Sequence, residues 1–98
     1  MHIIIRKYKK VDSPKEITRF VNESFLPLVS KVAGFVAYYG IETGEDSWTS
    51  VSVFGTPEGA EESNRVAAEN IQNNPDLARL VKSKPEITAG SVGAHKAK

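Results

Sequence analysis

Hydrophobic and polar positions follow two different periods along this chain, and the switches between them mark out its elements. Residues 2–9 open with Ile3, Ile4 and Ile5, a short β-branched run that predicts a first strand. At Asp12-Ser13-Pro14 the period changes. Asp12 or Ser13 can cap a helix, Pro14 fits the first helical position, and Glu16 completes a capping-box spacing from Ser13. Ile17, Phe20, Val21, Ser24, Phe25, Leu28 and Val29 then recur at helical spacing as one stripe. Pro27 lies within it and predicts a kink or a second short helix. Gly34, after Ala33, suits the left-handed position past a helix end.

Residues 35–41 are aromatic and β-branched and predict a second strand. The polar turn Thr43-Gly44-Glu45-Asp46 joins it to a third strand, residues 48–54, as an antiparallel hairpin. In that third strand Thr49, Val51 and Val53 share one face; Trp48, Ser50, Ser52 and Phe54 share the other. Thr56-Pro57 repeats the cap-then-proline signal and predicts a helix to about Asn73, with Ala60, Asn64, Ala67 and Ile71 on its buried side. Asn73-Asn74-Pro75 stops it, Asp76 caps a short turn with Leu77, Leu80 and Val81, and residues 86–95 predict the fourth strand. Residues 96–98 read as a frayed tail.

The order βαββαβ, with no repeat and no linker, predicts one α+β domain over residues 1–98. Its architecture is ferredoxin-like: a four-stranded antiparallel sheet with two helices on one face. The strands are apolar on both faces, yet the helices cover only one. A sheet of this kind needs a partner, and a second copy packed sheet against sheet is the economical one.

Composition narrows the function classes. A charged fraction of 26% and the lack of any apolar run near the roughly 20 residues that a bilayer requires argue against a membrane span. The apolar Met1-to-Ile5 stretch precedes the basic one, the reverse of a secretory signal, so a cytoplasmic location is expected. There is no Cys, hence no disulfide framework and no thiol chemistry. A net charge of +1 predicts no nucleic-acid partner, and the basic cluster Arg6, Lys7, Lys9, Lys10 alternates between strand faces.

The stretch Phe25-Leu26-Pro27-Leu28, the strand opening Gly34-Phe35-Val36-Ala37-Tyr38-Tyr39, and the helix start Thr56-Pro57-Glu58-Gly59-Ala60 after Phe54 resemble the antibiotic biosynthesis monooxygenase-like family of the dimeric α/β-barrel superfamily. The resemblance spans nearly the whole chain. It implies a homodimer with facing sheets and a ligand cleft between each sheet and its helices. Family members include cofactor-independent oxygenases of aromatic polyketides and haem-degrading enzymes. Many carry a Trp where this chain has Phe54, and a His in the next helix where it has Ser63-Asn64-Arg65. The expected haem ligand is therefore missing, and no cofactor is expected.

Five residues are candidates for a ligand site: Arg6, Tyr38, Tyr39, Trp48 and Asn64. Asn64 lies on an apolar helix stripe, where its amide either contacts a ligand or bonds the sheet or a water. Tyr38 and Tyr39 are adjacent on a strand, so one faces the helices and the other the partner side. Trp48 is either a stacking platform or an interface anchor. Arg6 is either a clamp for a carboxylate or enolate, or an arginine in a cross-strand ion pair or open to solvent. His2 and His95 have no third ligand spaced for a metal, so no metal site is expected. The resulting expectation is a homodimeric protein holding a small apolar or aromatic molecule and oxidising it without a cofactor. The alternative is a non-enzymatic module for ligand binding or assembly.

Overall fold

Ser13 and Thr56 start the two main helical segments as their surroundings predict. In the computed structural model, which describes residues 1–98, Ser13 Oγ accepts from the Glu16 N–H at 3.4 Å and Thr56 Oγ1 from the Gly59 N–H at 3.1 Å. Glu16 does not return the bond to Ser13. It pairs with Arg19 instead.

The chain runs β1 (His2–Lys9), α1 (Pro14–Phe20), a π-helical turn (Val21–Phe25), α2 (Leu26–Val29), β2 (Phe35–Glu42), β3 (Ser47–Phe54), α3 (Pro57–Gln72), α4 (Pro75–Val81) and β4 (Glu86–Ser91). The strands form one antiparallel sheet in the order β2-β3-β1-β4. That is the α+β, ferredoxin-like sheet the element order predicts. No helix is long and apolar enough to cross a membrane.

Pro27 acts as its lack of an N–H demands. The turn before it widens, and the Leu26 N–H reaches back five residues to the Val21 carbonyl. Gly34 takes φ +85°, the left-handed conformation expected after the helix. The predicted short turn around Leu77 is a helix, α4, opened by Pro75. The predicted fourth strand is too long: β4 ends at Ser91, because its partner β1 begins at His2 and Val92 finds only the Met1 carbonyl.

Side chains of the inner sheet face meet the helices. Ile4, Trp48 and Phe54 pack there against Ile17, Phe25, Val29 and Ala60 in the core. Gly59 lets α3 come close, since a Cβ there would overlap the Ala33 carbonyl oxygen and touch Phe54 at 3.0 Å. The outer face carries two apolar rows across three strands, Ile5–Val51–Tyr39 and Ile3–Val53–Ala37. Nothing within the chain covers Tyr39 or Ile41, which are 59% and 42% exposed.

Candidate functional site

Alternation along β1 turns Ile4, Arg6 and Tyr8 to the helices together, and all three are buried. An arginine in that position is the least expected feature of the sheet. Arg6 is 2% exposed and takes part in no ion pair. The cross-strand carboxylate and the solvated alternative are both wrong for this residue. Its guanidinium is held instead by neutral oxygens. Nε–H donates to Asn64 Oδ1 at 3.0 Å, Nη1–H to Ser52 Oγ at 3.1 Å and Nη2–H to Ser63 Oγ at 2.7 Å. Desolvation of such an ion costs several kcal/mol. Three bonds from a charged donor, at about 1.5–3 kcal/mol each, offset much of that. Burial holds the Arg6 pKa below its ordinary value, while the neighbouring phenols Tyr8 and Tyr38 pull it up. A guanidinium keeps its proton in proteins all the same.

Beside Arg6 lies a half-enclosed cavity of about 30 Å³, roofed by α1, the π turn, α3 and α4, and floored by the sheet. Tyr8, Tyr38, Trp48 and Ser50 form the floor, Phe25 and Val21 one wall, Asn70 and Ala67 another. No Asp, Glu or His lines it. Space of this size takes about two waters. The side chains of Val21, Tyr38 and Trp48 separate it from an outer hollow of about 170 Å³ that also borders Gly40 and Leu26.

The two phenols are donors here. Burial pushes the Tyr38 hydroxyl well above its ordinary pKa, against the opposing pull of Ser50 and Arg6. Burial also raises Tyr8, with Arg6 pulling it down. Both therefore stay protonated at neutral pH, and one cation with two neutral hydroxyls converges on an apolar space. Such a set stabilises an oxyanion. It supplies no base.

Of the sequence-derived candidates, the structure brings Arg6, Tyr38 and Trp48 together at the cavity, and places Asn64 behind Arg6 as its support. Tyr39 points to the outer sheet face, away from the others. A bulge at Val36 decides between the two tyrosines: Phe35 pairs with Phe54 and Ala37 with Val53, so Phe35 and Tyr38 both turn inward. Trp48 is buried, its Nε1–H donating to Thr18 Oγ1 at 3.1 Å, and is no exposed anchor. The buried stripe of α3 is centred on Ala60, Ser63, Ala67 and Asn70, so Asn64 lies on its flank rather than at its middle. Ser52, Ser63 and Asn70 were missed. Their signal was small or polar residues at strand or helix spacing between large apolar ones. His2 approaches Ser91 at 3.4 Å, while His95 lies beyond β4. No cluster of three or more metal-ligating side chains exists.

No protein-family model matches this chain, and no curated protein matches it in sequence. Solved structures do resemble it. A protein of unknown function from Nitrosomonas europaea, NE2512, is 20% identical with a TM-score of 0.75, over 99% of this chain and 93% of that one. The monooxygenase ActVA-Orf6 of Streptomyces coelicolor, solved with nanaomycin D, is 9% identical with a TM-score of 0.74, over 99% and 91%. The cofactor-independent oxygenase SnoaB of Streptomyces nogalater, in a mutant form, is 11% identical with a TM-score of 0.60, over 98% and 94%. At these identities the likeness speaks for architecture alone: the chain shares the ferredoxin-like fold of these solved structures.

Proposed function

We propose that this protein is a homodimer that takes a small aromatic molecule into the outer hollow, with its polar end toward the inner cavity between sheet and helices, and oxidises it with dioxygen, without a cofactor. The observation that carries the reading is the convergence of Arg6, Tyr8 and Tyr38 on an apolar space floored by Trp48. Those groups favour a bound molecule with its carbonyl or hydroxyl oxygen at the sheet and its ring against Trp48. Tyr38 and Trp48 are the ligand-contact residues of this reading, and Asn64 supports Arg6. Tyr39 belongs to the dimer face.

Activated ring methylenes suit the chemistry. Such a CH2 gives up two hydrogens and gains one oxygen atom of dioxygen as a carbonyl, and the second oxygen leaves as water. With no base in the cavity wall, the proton lost when the CH2 becomes an enolate goes to solvent water, and stabilising that enolate lowers the barrier to its reaction with dioxygen. Two features support pairing through the sheet: the apolar rows Ile5–Val51–Tyr39 and Ile3–Val53–Ala37, and the exposure of Ile41 beside them. A face of this kind is normally covered.

Oxygen uptake with anthrone- and quinol-type compounds tests the reading, with binding followed by the emission of Trp48, the one tryptophan. Saturable quenching accompanied by uptake and a carbonyl product is the expected result. The second reading is binding without turnover, and the lack of any carboxylate or imidazole in the cavity wall favours it. Quenching without uptake would select that reading. Neither quenching nor uptake would sink both.

A further inference from the structure

Arg6 has five N–H bonds, and the fold uses three of them. The acceptors Ser52, Ser63 and Asn64 are absent from the cavity wall, whereas Arg6 itself is part of it. The guanidinium is thus tied down by acceptors outside the cavity, and on the cavity side it meets only the neutral hydroxyl residues Tyr8, Tyr38 and Ser50 and no anionic acceptor. Each guanidinium nitrogen has one partner, yet the charge is 2% exposed, two of its N–H bonds have no acceptor, and no carboxylate stands beside it. Buried charges are normally paired. A role in packing alone would be met by an uncharged side chain bonding the same serines and amide.

We propose that the inner end of the cavity is an anion subsite, in which the two free N–H bonds of Arg6 receive the ionised oxygen of the aromatic ligand, a carboxylate or a phenolate. This rests on the aromatic-binding reading above and adds the ligand's charge to it. The fork of a guanidinium suits either oxygen, and the low polarity around it strengthens the bond. Tyr8 and Tyr38, held in their neutral form, bring no competing negative charge to the same end. The outer hollow of about 170 Å³ has room for one aromatic ring, since an apolar cavity of about 150 Å³ is known to hold benzene, and Val21 is the side chain that gives way between it and the inner end. Arg6 then becomes the group that selects among ligands of equal shape.

Benzene, phenol and benzoate form a series nearly matched in shape and graded in charge. Calorimetric titration of each into the wild-type protein and into Arg6→Met and Arg6→Lys tests the proposal. Benzoate, or phenol above the pH of its ionisation, is expected to bind the wild type at least tenfold more tightly than benzene. Which of the two gains more tells carboxylate from phenolate. Arg6→Met is expected to abolish the preference and Arg6→Lys to keep part of it. Equal binding of all three by the wild type, or a preference that survives Arg6→Met, would overturn the subsite and leave aromatic binding standing. No binding of any of them would remove both. Should Arg6→Met fail to fold, the wild type alone decides through 4-nitrophenol, whose ionised form is yellow. Bound nitrophenol is expected to turn yellow at a pH where the free compound is still neutral, and an unshifted transition would refute the proposal.

Discussion

Replacing Gly40 with alanine puts the cavity floor under a measurable load. Gly40 stands on the inner face of β2, and the ring of Trp48 lies across it. A Cβ at that position would come within 2.6 Å of the Trp48 ring carbons Cη2 and Cζ2. Carbon atoms rest at about 3.5–4.0 Å, so the ring must retreat by about 1 Å. It is not free to do so. Trp48 is 2% exposed, and its Nε1–H is bonded to Thr18 Oγ1, which in turn donates to Glu42 at 2.8 Å. Overpacking of this kind costs about 1–3 kcal/mol. Gly40 has no left-handed φ, so alanine would otherwise gain about 0.5–1 kcal/mol from the unfolded chain and the strand. The net loss is then up to about 2.5 kcal/mol, centred near about 1 kcal/mol, which lowers the Tm of a domain this size by about 4–8 °C per kcal/mol. Thermal melts followed by circular dichroism give the loss in every variant, and in Gly40→Ala the emission of the single Trp reports the displaced ring directly. Adding Trp48→Phe should relieve the clash, so the double variant should lose less than the two single losses combined. A variant as stable as the wild type with unchanged emission would show that the ring yields freely, and the close-packed floor would be wrong.

Other consequences are open to simpler tests. Sedimentation at micromolar concentration should give about twice the 10.7 kDa chain mass, and Val51→Lys, in the middle of the outer apolar row, should return it to one; a wild-type monomer would refute sheet-to-sheet pairing. Asn64→Ala removes a neutral acceptor from a buried cation and should cost about 1.5–3 kcal/mol in urea unfolding, whereas a loss under about 0.5 kcal/mol would mean that the Arg6 bond carries little. Tyr38 and Tyr8 have folded pKa values raised by burial, so their contribution is complete below the unfolded value of about 10 and is lost as pH rises toward the folded one. Stability should therefore fall above about pH 10, by up to about 1.4 kcal/mol per pH unit for each tyrosine, and Tyr38→Phe should flatten the fall.

Local chemistry accounts for what the sequence made legible. Helix starts at Ser13-Pro14 and Thr56-Pro57, the left-handed Gly34 and the alternation of β3 each depend on a few neighbouring residues, and each stands where that chemistry puts it. What depended on distant partners was not legible. Asn64 and Ser63 reach Arg6 across 58 and 57 residues of chain, so a strand arginine read beside lysines looked like a surface charge. The clue was its phase: Ile4 and Tyr8, two residues away on either side, face inward, and Ser50 stands opposite it on β3. The choice between Tyr38 and Tyr39 was closed to any period count, because the bulge at Val36 breaks the period between Phe35 and Ala37. Asn64 moved from the centre of its stripe to the flank because the close approach at Gly59 sets which side of α3 meets the sheet.

Adjacent residues on β1 serve the two proposed surfaces, and that makes the surfaces separable. Ile5 points outward into the row with Val51 and Tyr39; Arg6 points inward to Ser52, Ser63 and the cavity. Because one strand supplies both faces, a change of register by one residue would put the charge into the dimer face and the isoleucine among the serines. Both faces therefore constrain the same register, through unlike chemistry. A side-chain substitution that leaves the backbone in place acts on one face alone. Val51→Lys should split the dimer while the inner cavity keeps its affinity for benzoate. Arg6→Met should abolish charge selection while the dimer persists. If splitting the dimer also removed benzoate binding, the cavity would need the partner copy to complete it, and a site formed within one chain would have to be given up.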